Sequence, residues 1–109
     1  MALGLHILAD FYNVEFLDGN KMMEMIEEAV KYAKMHETGR AYHEFDNGSS
    51  SGIIMVEESH LSFHTWVEYR EVVLDIFSCG DEEQTEKAYE YVYDTLKPKR
   101  VDVKRVHRG

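Results

Sequence analysis

Residues 39–78 carry the patterns of four successive strands, and this run limits the possible folds more than any other part of the sequence. The strand patterns cover residues 39–45, 53–57, 59–66 and 71–78. The polar, glycine-containing stretch 46–52 is typical of a loop. Short connections between strands favour antiparallel pairing, so the sequence predicts a mainly antiparallel sheet.

Two amphipathic helices flank this strand-rich run. The first is predicted over residues 21–36, with Asp18 or Asn20 as its N-cap. The second extends from about position 81 to the only proline, Pro98. Apolar residues recur at helical spacing on one face of each: Met22, Ile26, Ala29, Val30 and Ala33 in the first, and Ala88, Val92 and Leu96 in the second. Each helix can therefore cover a sheet.

Further strands are predicted at residues 3–12 and 101–106. Together these elements predict an α+β fold, a two-layer sandwich with both helices on one face of a mainly antiparallel sheet. A chain of 109 residues has room for one domain, so we expect residues 1–109 to form a single unit. The patterns do not determine the order of the strands.

Composition excludes several function classes. A formal net charge of -9 opposes binding to nucleic acid, despite basic residues between positions 97 and 108. The longest apolar run, residues 53–56, is far shorter than the roughly 20 residues that span a bilayer, so no membrane association is expected. The single cysteine, Cys79, and the absence of a basic start favour a reducing cytoplasm.

Three histidines raise the question of a metal site. His60 and His64 would share one face of a helix, but the composition of residues 59–66 favours a strand. Four strand steps of about 3.3 Å place these two side chains roughly 13 Å apart, too far to share a zinc ion. The third histidine, His43, does not change this, and we expect no metal.

Hydrolase chemistry is weakly supported. The sequence around Ser59 lacks the Gly-x-Ser-x-Gly elbow of serine hydrolases. A thiol hydrolase built on Cys79 and His64 is conceivable, but nothing further indicates it. Taken singly, Ser59 and Cys79 would be ordinary structural residues.

Several short motifs nevertheless occur together in a particular order. They are Gly4-x-His6 with the downstream Asp10, Ser51-Gly52, Glu58-Ser59-His60, His64-Thr65-Trp66 with Glu68, and Asp75-x-Phe77 followed by Cys79-Gly80. In this arrangement the chain resembles the short, prokaryotic type of pyruvoyl-dependent S-adenosylmethionine decarboxylase proenzyme. The resemblance extends over nearly the whole chain.

The resemblance implies a proenzyme that cleaves itself between Glu58 and Ser59 into chains 1–58 and 59–109. The hydroxyl of Ser59 would attack the carbonyl of Glu58, and later chemistry would leave a pyruvoyl group derived from Ser59 as the cofactor. Ser51 and His64 match the family's processing residues. An imidazole can accept a proton at neutral pH, which suits His64 as the base.

The resemblance also implies the reaction: decarboxylation of S-adenosylmethionine to the aminopropyl donor for spermidine synthesis. The pyruvoyl group acts as an electron sink for the small-molecule substrate, and Cys79 matches the family's proton donor. Phe45, Leu61 and Glu68 match residues that stack on adenine, line the pocket and bind the ribose. The family implies a homodimer with active sites across its interface, where Phe45 would serve the partner.

One geometric difficulty concerns Ser59 and His64. They are an odd number of residues apart, so on a regular strand they point to opposite faces. A β-bulge, or a strand that starts after His60, would bring them to one side.

Departures from the family pattern leave two alternatives open. Val67 replaces a usual proline before Glu68, and Val14 stands where a cysteine is common. Glu44, Asp46 and Asn47 surround Phe45 where a basic residue, an apolar residue and a proline are common. Their negative charge favours a cationic substrate such as arginine or ornithine as the alternative. A non-catalytic regulatory homologue is the other.

Overall fold

The computed structural model describes residues 3–15 and 18–109, which form one sheet covered by two helices. This confirms the predicted α+β two-layer sandwich. The strands are β1 Gly4–Tyr12, β2 Glu37–Glu44, β3 Ser50–Val56, β4 Ser59–Trp66, β5 Glu71–Ser78 and β6 Arg100–Arg108; the helices are α1 Gly19–Tyr32 and α2 Glu82–Leu96; a 3-10 turn covers Val67–Tyr69.

The six strands lie in the order β2-β3-β4-β5-β1-β6, and every neighbouring pair is antiparallel. The strands from β2 to β5 therefore form a meander, an order that the sequence patterns did not determine. The N-terminal strand β1 is instead inserted between β5 and β6, two strands from the second half of the chain. Long-range pairing of this kind has no local signature in the sequence.

The core lies between the sheet and the helices. Helix α1 packs over β2 and β3, α2 packs over β1 and β5, and the helices contact each other. Strand side chains alternate between this core and the opposite face, as the period of two predicts. The helix side buries Leu5, Ile7, Phe11, Ile54, Phe63, Leu74 and Ile76, each at most 2% exposed. Burial of each such side chain contributes roughly 1.5–3 kcal/mol.

Helix α1 begins at Asp18, one of its two predicted caps, and α2 is capped by Asp81, where it was expected to begin. The carboxylate of Asp18 accepts a hydrogen bond from Lys21 N at 2.9 Å, and that of Asp81 accepts one from Glu83 N at 3.0 Å. A cap of this kind contributes about 1 kcal/mol. Helix α1 ends at Tyr32 rather than near residue 36, because Lys34 has a left-handed φ of 61° and turns the chain toward β2.

Strand β3 begins at Ser50, inside the stretch predicted to be a loop. The hydroxyl of Thr65 explains the difference, because it accepts a hydrogen bond from Ser50 N at 2.8 Å and lies 3.3 Å from Ser50 Oγ. The backbone N–H of Val67 in turn donates to Ser49 Oγ at 3.1 Å. These polar side chains are buried and form hydrogen bonds with neighbouring groups. The polar composition of the stretch, which predicts a loop, is therefore misleading at Ser50.

The other face of the sheet carries no helix of the described residues. Met55, Trp66 and Val106 are 50%, 41% and 45% exposed on this face, which we call the open face. Polar groups lie among them, including His6, whose Nε2 lies 3.0 Å from Asp75 Oδ1. No helix in the parts of the chain that the structure describes is long and apolar enough to cross a membrane.

Candidate active site

Glu57 and Glu58 form the two-residue turn between β3 and β4, closed by the pairing of Val56 with Ser59. Tight hairpins of this length usually adopt turns with positive φ, for which glycine and asparagine are favoured. Neither glutamate has a positive φ. The turn is held instead by neighbouring segments on both sides.

Cys79, just beyond β5, holds the main-chain carbonyl of Glu58. The backbone N–H of Cys79 donates to Glu58 O at 3.0 Å, and its thiol donates to the same oxygen at 3.0 Å. Register places Cys79 here, because Ser59 pairs with Ser78. Two donors on the carbonyl that precedes Ser59 form the arrangement that stabilises an oxyanion. We call Glu58, Ser59 and Cys79 the turn cluster.

His36 holds the carboxylate of Glu58. The backbone N–H of His36 donates to Glu58 Oε1 at 3.3 Å, and its Nδ1 lies 3.2 Å from Oε2. Burial by itself would raise the pKa of Glu58, but hydrogen bonds from its own backbone and from His36 outweigh burial, so the pKa lies below its ordinary value. No motif in the sequence indicated His36, because its place depends on the pairing of β2 with β3.

A second group of predicted residues lies around the β2–β3 loop and the open face. Ser51 and His64 are paired across β3 and β4, and Ser51 Oγ lies 2.6 Å from His64 Nδ1 in a hydrogen bond. The ring of Phe45 is half exposed and contacts the edge of the His43 ring at 4.5 Å between centroids. We call Phe45, Ser51, His64 and Glu68 the loop cluster.

Three residues of the loop cluster, Phe45, Ser51 and His64, line a cavity of about 430 Å³. Its lining comprises Phe45, Asp46, Asn47, Ser49, Ser51, His64, Thr65 and Trp66. Asn47 joins the two sides of the cluster, since its Nδ2 donates to Glu68 Oε1 at 3.0 Å and its Oδ1 accepts from Ser49 N at 2.9 Å. Gly48 supports this loop with a φ of 90°. The Asn-Gly pair marked a turn, but its contact with Glu68 was not foreseen.

The structure does not bring the two clusters together within one chain. The β4 register continues from Ser59 to Trp66 without the bulge or late start that would have brought Ser59 and His64 to one side. Five strand steps of about 3.3 Å separate these residues by roughly 16 Å. The side chain of Leu61 is fully buried in the helix-side core, so only its backbone remains for a pocket wall.

The acidic residues beside Phe45 divide between the two faces. Tyr42 OH donates to Glu44 Oε1 at 3.0 Å, and both side chains lie on the helix side of β2, away from the cavity. Asp46 alone of the two acids lines the cavity. The accumulation of negative charge that favoured a basic amino acid as substrate is therefore reduced to one carboxylate.

Comparisons with known proteins agree with the motifs and the fold. Residues 5–109 match the family model described as S-adenosylmethionine decarboxylase. The chain is 44% identical over 110 residues to an S-adenosylmethionine decarboxylase proenzyme of Sulfurihydrogenibium sp., with 98% of this chain and 83% of the relative covered. A Persephonella marina protein of the same name is 46% identical over 110 residues, at the same coverage.

A solved structure gives the same result. The crystal structure of the adenosylmethionine decarboxylase from Aquifex aeolicus superposes with a TM-score of 0.89 at 37% identity, covering 99% of this chain and 92% of that one. Sequence and structure thus match over essentially the full length of the described fold. The chain belongs to the S-adenosylmethionine decarboxylase family.

Proposed function

We propose that this chain is the proenzyme of a pyruvoyl-dependent S-adenosylmethionine decarboxylase, which cleaves itself between Glu58 and Ser59. The observation that carries the proposal is the pair of Cys79 donors, each 3.0 Å from the oxygen of the Glu58 carbonyl, whose carbon Ser59 must attack. Membership of the family supports it, because the relatives named above are themselves proenzymes. The products would be chains 1–58 and 59–109.

Self-cleavage and formation of the keto group need only groups of the chain and one water molecule. Ser59 Oγ forms a bond to the carbonyl carbon of Glu58, the Glu58–Ser59 peptide C–N bond breaks, and the acyl group is left on oxygen. The Cys79 N–H and thiol stabilise the negative charge on the Glu58 oxygen during attack. A base then removes the α-proton of Ser59, and the Ser59 Cβ–Oγ bond breaks, with the new main-chain carboxylate of Glu58 as the leaving group. One water hydrolyses the resulting dehydroalanine to the keto group and ammonia.

The pyruvoyl group fits this position, since Ser59 starts a strand directly after a turn and its preceding carbonyl has donors in place. The group supplies a ketone that binds the substrate's amine and accepts the electrons released with carbon dioxide. The thiol of Cys79 adjoins the Glu58–Ser59 bond, so it is placed to return a proton to the substrate carbon. Cys79 would thus act in cleavage and in turnover.

We further propose a homodimer in which the loop cluster of one protomer completes the turn cluster of the other. His64 lies on the face opposite to Ser59 in its own chain, so in the proposed dimer the His64 that acts on Ser59 would come from the second copy. The open face offers apolar contact area in Met55, Trp66 and Val106. Phe45, with Ser51, His64 and Glu68, would then receive the adenosine part of the partner's substrate.

S-adenosylmethionine is the substrate that the site supports best. Phe45 offers an aromatic face for adenine at the cavity, and Glu68 offers a carboxylate for the ribose hydroxyls. The named relatives all carry this substrate in their names, which favours it over arginine or ornithine. A non-catalytic regulatory role has no observation in its support.

Two measurements test the proposal. Denaturing mass spectrometry of the purified protein should find two fragments that meet at 58–59, the second with a keto group in place of its amino terminus. Carbon dioxide should be released from carboxyl-labelled S-adenosylmethionine and not from labelled arginine or ornithine. An intact chain would refute self-cleavage, whereas cleavage with release from arginine alone would refute the substrate.

A further inference from the structure

We infer that His36 is a positioning residue for self-cleavage, holding Glu58 so that its carbonyl stays aligned for attack. The inference rests on the proposed self-cleavage at Glu58–Ser59 and adds a residue outside the predicted motifs. His36 lies between α1 and β2, and its imidazole is 68% exposed, so it contributes little to the core.

Three separate groups of His36 contact the two turn residues. Its carbonyl accepts a hydrogen bond from Glu57 N at 2.8 Å, its N–H donates to Glu58 Oε1 at 3.3 Å, and its Nδ1 lies 3.2 Å from Glu58 Oε2. The register of β2 against β3 shifts between Glu37 and Gly39, immediately after His36. Irregularities of this kind re-aim neighbouring side chains, and this one adjoins the candidate cleavage bond.

The contacts of His36 and Cys79 hold opposite ends of Glu58. Cys79 fixes the carbonyl oxygen, and His36 fixes the carboxylate, so rotation of the peptide that Ser59 attacks is restricted from both sides. The stem of Glu58 also packs closely against Gly80, where an added Cβ would lie 3.3 Å from Glu58 Cγ. An arrangement with the reacting atoms already in place lowers the entropic part of a barrier.

Electrostatics explains why an imidazole suits this position. The turn places two carboxylates next to each other, and ligand atoms of His36, Glu57 and Glu58 all lie within 4.8 Å of one another. Repulsion between the carboxylates would push the turn open, whereas a donor between them offsets it. The imidazole of His36, with Nδ1 3.2 Å from Glu58 Oε2, can supply that donor.

The test follows cleavage of freshly translated full-length chain by intact mass against time. His36→Ala keeps both backbone contacts and removes only the imidazole, so cleavage should slow about tenfold, the loss expected for one hydrogen bond to a charged group. His36→Asn can place its side-chain nitrogen where Nδ1 lies and should recover most of the rate. His36→Leu restores bulk without a donor and should stay slow.

His107→Ala is the matched control, because His107 also pairs with a carboxylate, Glu82 at 3.1 Å, but on β6 away from the turn. It should cleave at the wild-type rate. In a Glu58→Ala background, His36→Ala should cause no further slowing, since the shared contact is already lost. Decarboxylation per cleaved chain should be unchanged in His36→Ala.

Two outcomes separate this inference from the proposed function. If the wild-type chain cleaves and His36→Ala or His36→Leu cleaves equally fast, the positioning role is wrong and self-cleavage stands. If the wild-type chain itself stays intact through prolonged incubation, the proposed function is wrong, and the inference falls with it.

Discussion

The turn cluster and the loop cluster are built in opposite ways. At the turn cluster, main-chain and side-chain groups of Cys79 and His36 hold a carbonyl and a carboxylate next to one peptide bond. In the loop cluster, side chains such as Ser51 and His64 contact each other around an open cavity. The first arrangement suits a reaction of the chain on itself, and the second suits recognition of a separate molecule.

Mixing two variants is the strongest test of whether the loop cluster of one protomer acts on the turn cluster of the other. Ser59→Ala alone should stay uncut, because the attacking hydroxyl is gone, and His64→Ala alone should cleave at least a hundredfold more slowly without its base. Mixed during folding, the two should yield cut chains that carry His64→Ala, since the Ser59→Ala partner supplies the imidazole. Mass spectrometry distinguishes the chains.

Ser62→Ala, on the same strand and outside both clusters, provides the control and should cleave like the wild type. Absence of any cut His64→Ala chain from the mixture, despite dimers that contain both variants, would show that the two clusters do not act between protomers.

Cys79→Ser should separate cleavage from turnover. The backbone N–H and a hydroxyl donor remain near Glu58 O, so we expect cleavage to slow by less than about tenfold. Decarboxylation should fall by about a hundredfold, because a hydroxyl returns a proton to carbon less readily than a thiol. Turnover per mole of keto group, measured after cleavage is complete, checks this. Equal losses in both steps would contradict two roles for Cys79.

Asn47→Ala should affect the loop cluster alone. Glu68 would lose its 3.0 Å contact with Asn47 and sample other rotamers, so KM for S-adenosylmethionine should rise about three- to tenfold with little change in kcat. Asn20→Ala, at an exposed site in α1, is the control. Slower self-cleavage in Asn47→Ala would show that the loop also supports the turn cluster.

The smallest effect concerns His60, on the open face between the clusters. Burial first, and then the neighbouring charge of His6, lower the pKa of His60 from its ordinary 6.5, although Asp75 opposes this. Below about pH 6.5 His60 takes up a proton more readily in the unfolded chain than in the folded chain. The free energy of unfolding therefore decreases as the pH is lowered. His60→Gln should reduce the loss in urea midpoint between pH 7.5 and 5.5. His107→Gln serves as control, and an unchanged loss in His60→Gln would contradict the assignment.

Local features of the fold could be predicted from the sequence. Asp18, one of the two expected caps, caps α1, α2 begins near the expected position, and β4 and β5 have the predicted bounds, because caps and alternation act between neighbouring residues. The insertion of β1 beside β6 could not be predicted, since strand order depends on pairing between distant segments. The polar composition around Ser50 predicts a loop, whereas the hydrogen bond to Thr65, remote in sequence, makes Ser50 the start of β3.

The candidate site followed the same division. The motifs indicated Ser59, Cys79, Ser51 and His64, and parity along β4 correctly separated Ser59 from His64. The roles of these residues stay predictions. The contacts of His36 and Asn47 were missed because each joins segments that only the folded sheet brings together.

The insertion of β1 has a consequence for the life of the protein after cleavage. Fragment 1–58 would contain β1 and β3, whereas fragment 59–109 would contain the strands that pair with them, β4, β5 and β6. Three strand pairs, β3–β4, β5–β1 and β1–β6, would then join the two fragments. The cleaved protein would therefore keep its fold without a covalent bond between them. Once unfolded, however, the two fragments would have to associate by diffusion before they could refold. The cleaved form would therefore be stable while folded but slow to refold.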